Sequence, residues 1–329
     1  MNIGIIGCGV MGELHAQLAA NCGHRIVACA DTSRSKAKQL AKTYKDHGAE
    51  AEKDGRGVTS QPDVEVIVIN TPTPTHGEFI KAAAENGKHI FCEKPLGRTT
   101  AECEEAVQAA KSAGIKLFVG HVVRYFHEFE TIKGLVEAGK AGEPGFVKTY
   151  RGGMAPQGEG GWFRDVAQSG GVVFDCSIHD LDWIRYTFGE VERVFCQTVH
   201  ETKPDVIDYA MVTLRLKNGM IGQVIGTWAH PSGFRVKAEV CGSRGVLQFD
   251  SAETAVETHM RKTAKGDDPS VIVPGSPVDK SPYLLEWEDF TKWLKGEGEP
   301  RVTPDDAVSA VRIAEAALES AKTGAPVIL

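Results

Sequence analysis

The sequence has no run of about 18 apolar residues, so no segment reads as a membrane-spanning helix. It has no basic excess either: 37 Lys and Arg stand against 44 Asp and Glu, a formal net charge of −7. A nucleic-acid or anionic-membrane partner calls for a basic patch, and this balance argues against both. Eight cysteines are scattered (Cys8, Cys22, Cys29, Cys92, Cys103, Cys176, Cys196 and Cys241), none in a C-x-x-C pair. No zinc site is therefore expected, and no histidine cluster has metal spacing. Thiols in apolar patterns behave as small hydrophobes, which suits a reducing cytoplasm. The opening Met1-Asn2-Ile3-Gly4-Ile5-Ile6 lacks a basic n-region and a cleavage site and reads as a strand rather than a signal peptide. Internal repeats and low-complexity tracts are absent as well.

What is present is a chain of 329 residues, long enough for two domains, with two rhythms. Over residues 1–121, short apolar runs alternate with amphipathic stretches. The runs Asn2–Gly7, Arg25–Ala30, Val64–Asn70, His89–Cys92 and Lys116–Gly120 predict strands. Glu13–Ala20, Ser35–Lys42, Gly77–Asn86 and Thr100–Ala113 predict helices, the last with a Thr99/Glu102 capping box. Alternating β and α units imply a doubly wound parallel sheet of the Rossmann type. Over residues 122–329, a helix at Phe129–Ala138 leads to a strand at Gly145–Arg151, a Gly-rich loop from Gly152 to Gly161, and a helix from about Ser177. Strands follow at Arg193–His200, Tyr209–Lys217, Met220–His230, Arg235–Cys241 and Val246–Asp250, with Asn218-Gly219 as a hairpin signal. Residues 252–282 read as a loop-rich insertion, and helices near Leu284–Leu294 and Pro304–Ala321 close the chain. The second half is thus an α+β domain with a predominantly antiparallel open sheet and flanking helices.

Gly7-Cys8-Gly9-Val10-Met11-Gly12 is a G-x-G-x-x-G loop between the first strand and the first helix. Gly7 suits the tight turn, Gly9 the approach of a pyrophosphate, and Gly12 close helix–strand packing. The N–H groups of Val10, Met11 and Gly12 then open a helix toward the phosphates. Asp31 ends the second strand 19 residues after Gly12, with Thr32 beside it. Its carboxylate can accept from ribose hydroxyls and repel a 2′-phosphate, which favours NAD. Ser33 and Arg34 follow closely and keep NADP as the alternative cofactor.

Asn70-Thr71-Pro72 ends the third predicted strand and is followed by His76; Cys92-Glu93-Lys94-Pro95 ends the fourth. Ligands of open α/β sheets sit outside the carboxyl ends of the strands, so both segments are cofactor-side candidates. An ammonium at Lys94 could polarise a carbonyl or stabilise an alkoxide; a lysine before proline is also at home as a solvated turn residue. Gly170-Gly171 precede Asp175 and His179, which are one helical turn apart and share a face. Either the two meet one substrate hydroxyl, or Asp175 caps the helix and His179 packs inside.

Taken together, these motifs resemble the glucose–fructose oxidoreductase/inositol dehydrogenase (Gfo/Idh/MocA) family along essentially the whole chain. The resemblance rests on Gly7–Gly12, on Thr71-Pro72 with His76, on Gly87-Lys88-His89 leading to Glu93-Lys94-Pro95, and on Gly170-Gly171 with Asp175 and His179. The ending, Ala314 to Ala321 and then Gly324-Ala325-Pro326-Val327, also fits it. The resemblance implies that Lys94, Asp175 and His179 are catalytic. It also implies an NAD(P)-dependent oxidoreductase acting on CH–OH groups, with a second domain that binds substrate and mediates assembly. Arg124, Trp162 and Arg164 join Lys94, Asp175 and His179 as substrate-side candidates, an aromatic plus arginine being suited to a sugar ring. Phe234 stands where inositol dehydrogenase-like members tend to carry tyrosine. His24, His47 and His259, in polar stretches, are expected to be solvated, His15 to pack or lie at the surface, and His121 to end a strand.

The expected activity is oxidation of a secondary hydroxyl of a sugar, sugar derivative or cyclitol by hydride transfer to the nicotinamide. The alternatives are an NADPH-dependent keto-sugar reductase, a dinucleotide-binding regulator without turnover, and a tightly bound NAD recycled within a lyase- or hydrolase-like cycle. Tyr209, Met211 and Trp228 on the predicted sheet suggest a homo-oligomer, a dimer or tetramer.

Overall fold

The computed structural model describes residues 1–156, 158–199, 208–230, 233–252 and 280–329. Most of the predicted insertion, including His259, lies outside them. The chain divides into two compact units: Met1–Val122 with Lys280–Val311, and a second that runs from Val123 and is completed by Arg312–Leu329. The chain thus passes between the units more than once, where the change of rhythm predicts a single boundary after residue 121.

The first unit contains β1 (Asn2–Ile6), α1 (Val10–Asn21), β2 (Arg25–Ala30), α2 (Arg34–Thr43), β3 (Glu50–Ala51), α3 (Gly55–Ser60), β4 (Val66–Ile69), α4 (His76–Glu85), β5 (His89–Glu93), α5 (Thr100–Ser112) and β6 (Leu117–Gly120). The six strands are parallel, in the order β3-β2-β1-β4-β5-β6. This is the doubly wound order, with its switch point between β1 and β4. The strands are short and apolar because both faces are covered: all four residues of β4, Val-Ile-Val-Ile, are buried. The capping box forms as predicted, Thr99 Oγ1 accepting the Glu102 N–H and Glu102 the Thr99 N–H. The short β3 and α3 lie in a stretch where neither was predicted.

In the second unit the elements are α6 (His127–Glu137), β7 (Pro144–Gly152), α7 (Val166–Ser169), α8 (Ile178–Phe188), β8 (Val191–Val199), β9 (Tyr209–Leu216), β10 (Ile221–Thr227), β11 (Arg235–Gly242) and β12 (Gly245–Asp250). The sheet runs β12-β11-β7-β10-β9-β8-β13, where β13 is Val327–Ile328; only β10 with β7 is a parallel pair. Asn218-Gly219 turns the chain between β9 and β10, with Gly219 at φ 89° and Asn218 Oδ1 accepting the Met220 N–H. Strict alternation in β9 buries Ala210, Val212, Leu214 and Leu216 and leaves Tyr209, Met211, Thr213 and Arg215 on the other face. Trp228, predicted on that open face, is instead 4% exposed, its N–H given to Asp175. The Gly-rich loop predicted over Gly152–Gly161 contains the end of β7 and the first half of a short 3₁₀ segment, Glu159–Arg164.

Two helices follow near the C-terminus, α9 (Pro282–Leu294) and α10 (Pro304–Thr323), and the boundary between the units falls inside α10. In the first unit Trp287 of α9 stacks on Phe91 at 5.0 Å, and Phe290 meets Phe91 and Phe118 at 5.4 and 5.3 Å. This contact explains one departure from the sequence reading, at His24, and the packing of His15. His24 is 5% exposed rather than solvated, its Nε2 hydrogen-bonded to Thr291 Oγ1, and burial depresses its pKa to about 4. His15 is wholly buried in the same layer.

Candidate active site

The carboxyl ends of the parallel strands carry the cofactor-side candidates. Gly7 follows β1 at φ 88°, a conformation that side chains resist. A Cβ on Gly12 would stand 2.0 Å from the Gly7 carbonyl oxygen, so α1 can start this close to the turn only with glycine there. A Cβ on Gly9 would meet nothing within 4 Å: the loop faces open space at the position where a pyrophosphate approaches. No side chain caps α1 at Gly9, which leaves its first N–H groups for an anion.

Asp31, just past β2, uses Oδ2 to accept the Cys8 N–H at 2.7 Å and Oδ1 to accept the Ser33 N–H at 2.7 Å. One carboxylate thus ties the glycine loop to the end of β2. A carboxylate offers about four acceptor positions, so ribose hydroxyls can still be received. Thr32 beside it is exposed. Past β4, the Asn70 amide nitrogen and oxygen are both hidden from solvent with no hydrogen-bond partner among the described residues. A buried amide of that kind is a place where a ligand's donor or acceptor belongs. Thr71 and Pro72 follow at the surface, with Thr75 Oγ1 donating to Thr71 Oγ1 at 2.7 Å. The glycine loop, Asp31 and the orphaned Asn70 amide together fit a dinucleotide.

His76, predicted on the cofactor side, is 1% exposed and lies between two backbone carbonyls, Thr71 O at 2.8 Å and Pro95 O at 2.9 Å. Burial depresses its pKa against the pull of those carbonyls. Carbonyls only accept, so a neutral ring donates to one of them at a time. The residue joins the loop after β4 to the loop after β5.

That second loop presents Lys94. From Ile90 to Gly97 every residue is buried except Lys94. Glu93 Oε2 accepts the Lys94 backbone N–H at 3.0 Å, and Glu93 Oε1 accepts from His15 Nε2 at 2.8 Å. Burial pushes the Glu93 carboxyl up, but the hydrogen bond from His15 and the charge of Lys94 outweigh it and leave its pKa lowered.

A second buried carboxyl in this unit behaves in the opposite way. Glu286 is 0% exposed, neither oxygen has a hydrogen-bond partner among the described residues, and burial with the nearby Glu93 and Asp289 charges holds its pKa well above the usual value. Unfolded, it ionises in the ordinary carboxylate range; folded, it keeps its proton to higher pH. The folded state then binds more protons, and stability falls as pH rises through that window. Glu286→Gln removes the dependence, so in thermal melts its Tm gains on the wild type as pH rises above the ordinary carboxylate range. A difference that stays constant with pH would show that Glu286 titrates alike in both states.

In the second unit, Asp175 and His179 stand out in the same way as Lys94. From Gly170 to Ile184 they are the only residues not buried. Gly170 caps α7 at φ 75°, and Gly171 follows at φ 63°. The chain then makes a π-helical turn, Val173–Ser177, that runs directly into α8. Such turns replace the 3.6-residue period locally and are frequent at functional sites. Asp175 Oδ2 accepts the Trp228 Nε1–H at 3.1 Å, so it is oriented by an indole rather than spent on capping. Two buried ion pairs follow His179 on α8. Asp180 binds Arg151 of β7 at 2.7 Å and Asp182 binds Arg124 at 2.6 Å, each through two hydrogen bonds.

Arg124, a substrate-side candidate in the sequence, is the partner of Asp182. It is 2% exposed, held by Asp182, and its guanidinium lies 4.2 Å from the Tyr186 ring centre. Trp162 and Arg164 lie on the 3₁₀ segment; Trp162 packs on Phe163 with ring centres 4.0 Å apart, and Arg164 is exposed. Phe163 in turn meets Trp228 at 6.5 Å, so an aromatic row leads toward Asp175. His121, just past β6, is 1% exposed. No group of three or more metal-ligating side chains occurs among the described residues.

A doubly wound sheet with this glycine loop and acidic strand end, followed by a mixed-sheet unit, defines a two-part NAD-binding oxidoreductase. Comparison with known proteins makes the class specific. Residues 1–121 match the oxidoreductase family with an NAD-binding Rossmann fold, and residues 129–248 match the GFO/IDH/MocA C-terminal domain. The chain belongs to the Gfo/Idh/MocA family. It is 33% identical to the uncharacterized oxidoreductase YrbE of Bacillus subtilis (strain 168), over 98% of this chain and 95% of that protein. It is 31% identical to the scyllo-inositol 2-dehydrogenase (NAD(+)) of the same organism, over 99% and 95%. Among solved structures, GenD2 from gentamicin A biosynthesis, in complex with NAD, superposes with a TM-score of 0.89 at 25% identity, covering 100% of this chain and 96% of that one.

Proposed function

We propose that this protein is an NAD-dependent dehydrogenase that oxidises a secondary hydroxyl of a cyclitol or a related sugar. The carrying observation is the selective exposure of Lys94, Asp175 and His179 within two otherwise buried segments. His179 takes the hydroxyl proton as general base, a role suited to imidazole near neutral pH. Lys94 stabilises the alkoxide-like oxygen with its ammonium group. Asp175, steadied by the Trp228 N–H, holds a substrate hydroxyl. NAD, when bound, accepts the hydride from the carbinol carbon. Gly7, Gly9, Val10, Met11, Gly12, Asp31, Thr32, Asn70, Thr71, Pro72 and His76 form or brace the cofactor side, and Asp31 sets the preference against a 2′-phosphate. Trp162 and Arg164 meet the ring and hydroxyls of the substrate.

The cyclitol class is supported by the name of the Bacillus subtilis scyllo-inositol dehydrogenase relative. Phe234, whose ring lies against Gly153, gives that surface no phenolic hydroxyl and favours a cyclitol or sugar derivative other than inositol itself. Eight free cysteines suit a cytoplasmic protein. Assembly as a dimer or tetramer would use the open sheet face that carries Tyr209 and Met211.

The test is a panel of inositols, aldoses and glycosides with NAD or NADP, followed by NAD(P)H absorbance. Turnover of a cyclitol or sugar with higher kcat/KM for NAD is expected. A flat panel with NAD binding intact would replace this reading by that of a dinucleotide-binding regulator.

A further inference from the structure

We propose that His15 and Trp287 are positioning residues for Lys94, acting through Glu93; the inference rests on the reading of Lys94 as the group that stabilises the reacting oxygen. Three hydrogen bonds run in series within the first unit. Trp287 Nε1 donates to His15 Nδ1 at 2.8 Å, His15 Nε2 meets Glu93 Oε1 at 2.8 Å, and Glu93 Oε2 accepts the Lys94 backbone N–H at 3.0 Å. Indole N–H is a donor only, so it assigns His15 Nδ1 as the acceptor and puts the ring proton on Nε2, facing the carboxylate. The tautomer of a buried histidine is thereby set by a tryptophan 272 residues away. Both His15 and Trp287 are 0% exposed, and Phe91 holds both rings in place, 4.8 Å from His15 and 5.0 Å from Trp287.

The placement of His15 gives the series its use. It stands on α1, one turn after Gly12, on the helix whose first N–H groups face the cofactor phosphates. Glu93 closes β5, and its carboxylate sets the backbone of the residue that follows. The chain therefore links the helix that receives NAD to the loop that presents Lys94. A buried hydrogen-bonded series of this kind holds a functional group to a fraction of an ångström when its partners are themselves locked by packing. Neither His15 nor Trp287 need touch substrate or cofactor to do so.

The test compares His15→Leu, His15→Gln, Trp287→Phe, Lys94→Ala and the double variant His15→Leu/Lys94→Ala. Gln keeps a donor for Glu93, and Phe keeps a ring against Phe91 while deleting the indole N–H. Kinetics, NAD affinity, Tm and hydrogen exchange of the peptide covering Ile90–Gly97 are measured on each. His15→Leu is expected to lower kcat by about 10- to 100-fold, the scale of a misplaced catalytic group, with NAD affinity changed by less than about twofold. Exchange at the Lys94 amide rises in parallel, His15→Gln restores most of kcat, and Trp287→Phe falls between. In the Lys94→Ala background, His15→Leu costs kcat nothing further. The inference is overturned if His15→Leu and His15→Gln lose kcat equally and in proportion to Tm, or if both keep wild-type kcat while Lys94→Ala does not. If Lys94→Ala itself turns over normally, the failure lies in the reading of Lys94; exchange at its amide still reports whether Glu93 and His15 hold that loop.

Discussion

Lys94→Ala is expected to lower kcat on the order of 10²–10³-fold, the scale of removing one donor to a developing oxyanion. His179→Ala is expected to cost on the order of 10²–10⁴-fold, the scale of a lost general base. Neither side chain takes part in the hydrogen bonds that build the glycine loop, which run from Asp31 to Cys8 and Ser33. NAD affinity, read from protein fluorescence, should therefore stay within a few-fold of wild type while turnover collapses. Loss of NAD affinity in step with turnover would instead make either residue a cofactor-binding group. Turnover close to wild type would remove that residue from the chemistry.

The second large effect concerns stability. Asp182→Ala leaves Arg124 buried without the carboxylate that pairs with it, and both side chains are 1% exposed. Breaking a buried ion pair from one side typically costs about 3–5 kcal/mol, because the remaining charge is left desolvated. A drop of that size in urea unfolding is expected. The double change Arg124→Met with Asp182→Leu should recover most of it, since apolar residues of similar volume often replace such pairs at little cost. If the single variant loses less than about 1 kcal/mol, water or another group takes over the arginine, and the pair is of the surface kind. Asp180 with Arg151 is a second buried pair of the same design on α8.

How much of this was readable in sequence differs from element to element. Five of the six parallel strands, β1, β2, β4, β5 and β6, were legible because each is built on a short apolar run. Arg25–Ala30 has the same bounds in the sequence and in the fold. The hairpin at Asn218-Gly219 and the capping box at Thr99 were legible for the same reason: the signal is local. β3 and α3 were not, since two residues of strand and six of helix carry too few positions for either period to show. The π-helical turn at Val173–Ser177 has no sequence signature, so the spacing of Asp175 and His179 could only be read as an ordinary helical turn.

The side chains whose surroundings were not legible share one cause, which is a partner far along the chain. Arg124 looked available because Asp182 is 58 residues away, and His24 looked solvated because Thr291 is 267 residues away. His15 finds Glu93 at 78 residues and Trp287 at 272. Polar neighbours in sequence say little about a side chain whose surroundings come from another element. A signal did exist in α9: Trp287 and Phe290 lie three apart on one helical face, a wide aromatic stripe that must be covered by something.

The return of residues 280–311 to the first unit also bears on the order in which a ribosome can finish this protein. By the time Val122 has been made, all six parallel strands exist, yet Phe91 and Phe118 still lack Trp287 and Phe290. The dinucleotide-binding module begins to emerge before the second unit and cannot be completed until α9 has followed strands β7 to β12 of that unit. In the interval its unpaired aromatic face is a natural client for a chaperone, and a nascent chain cut short before α9 would carry that face permanently.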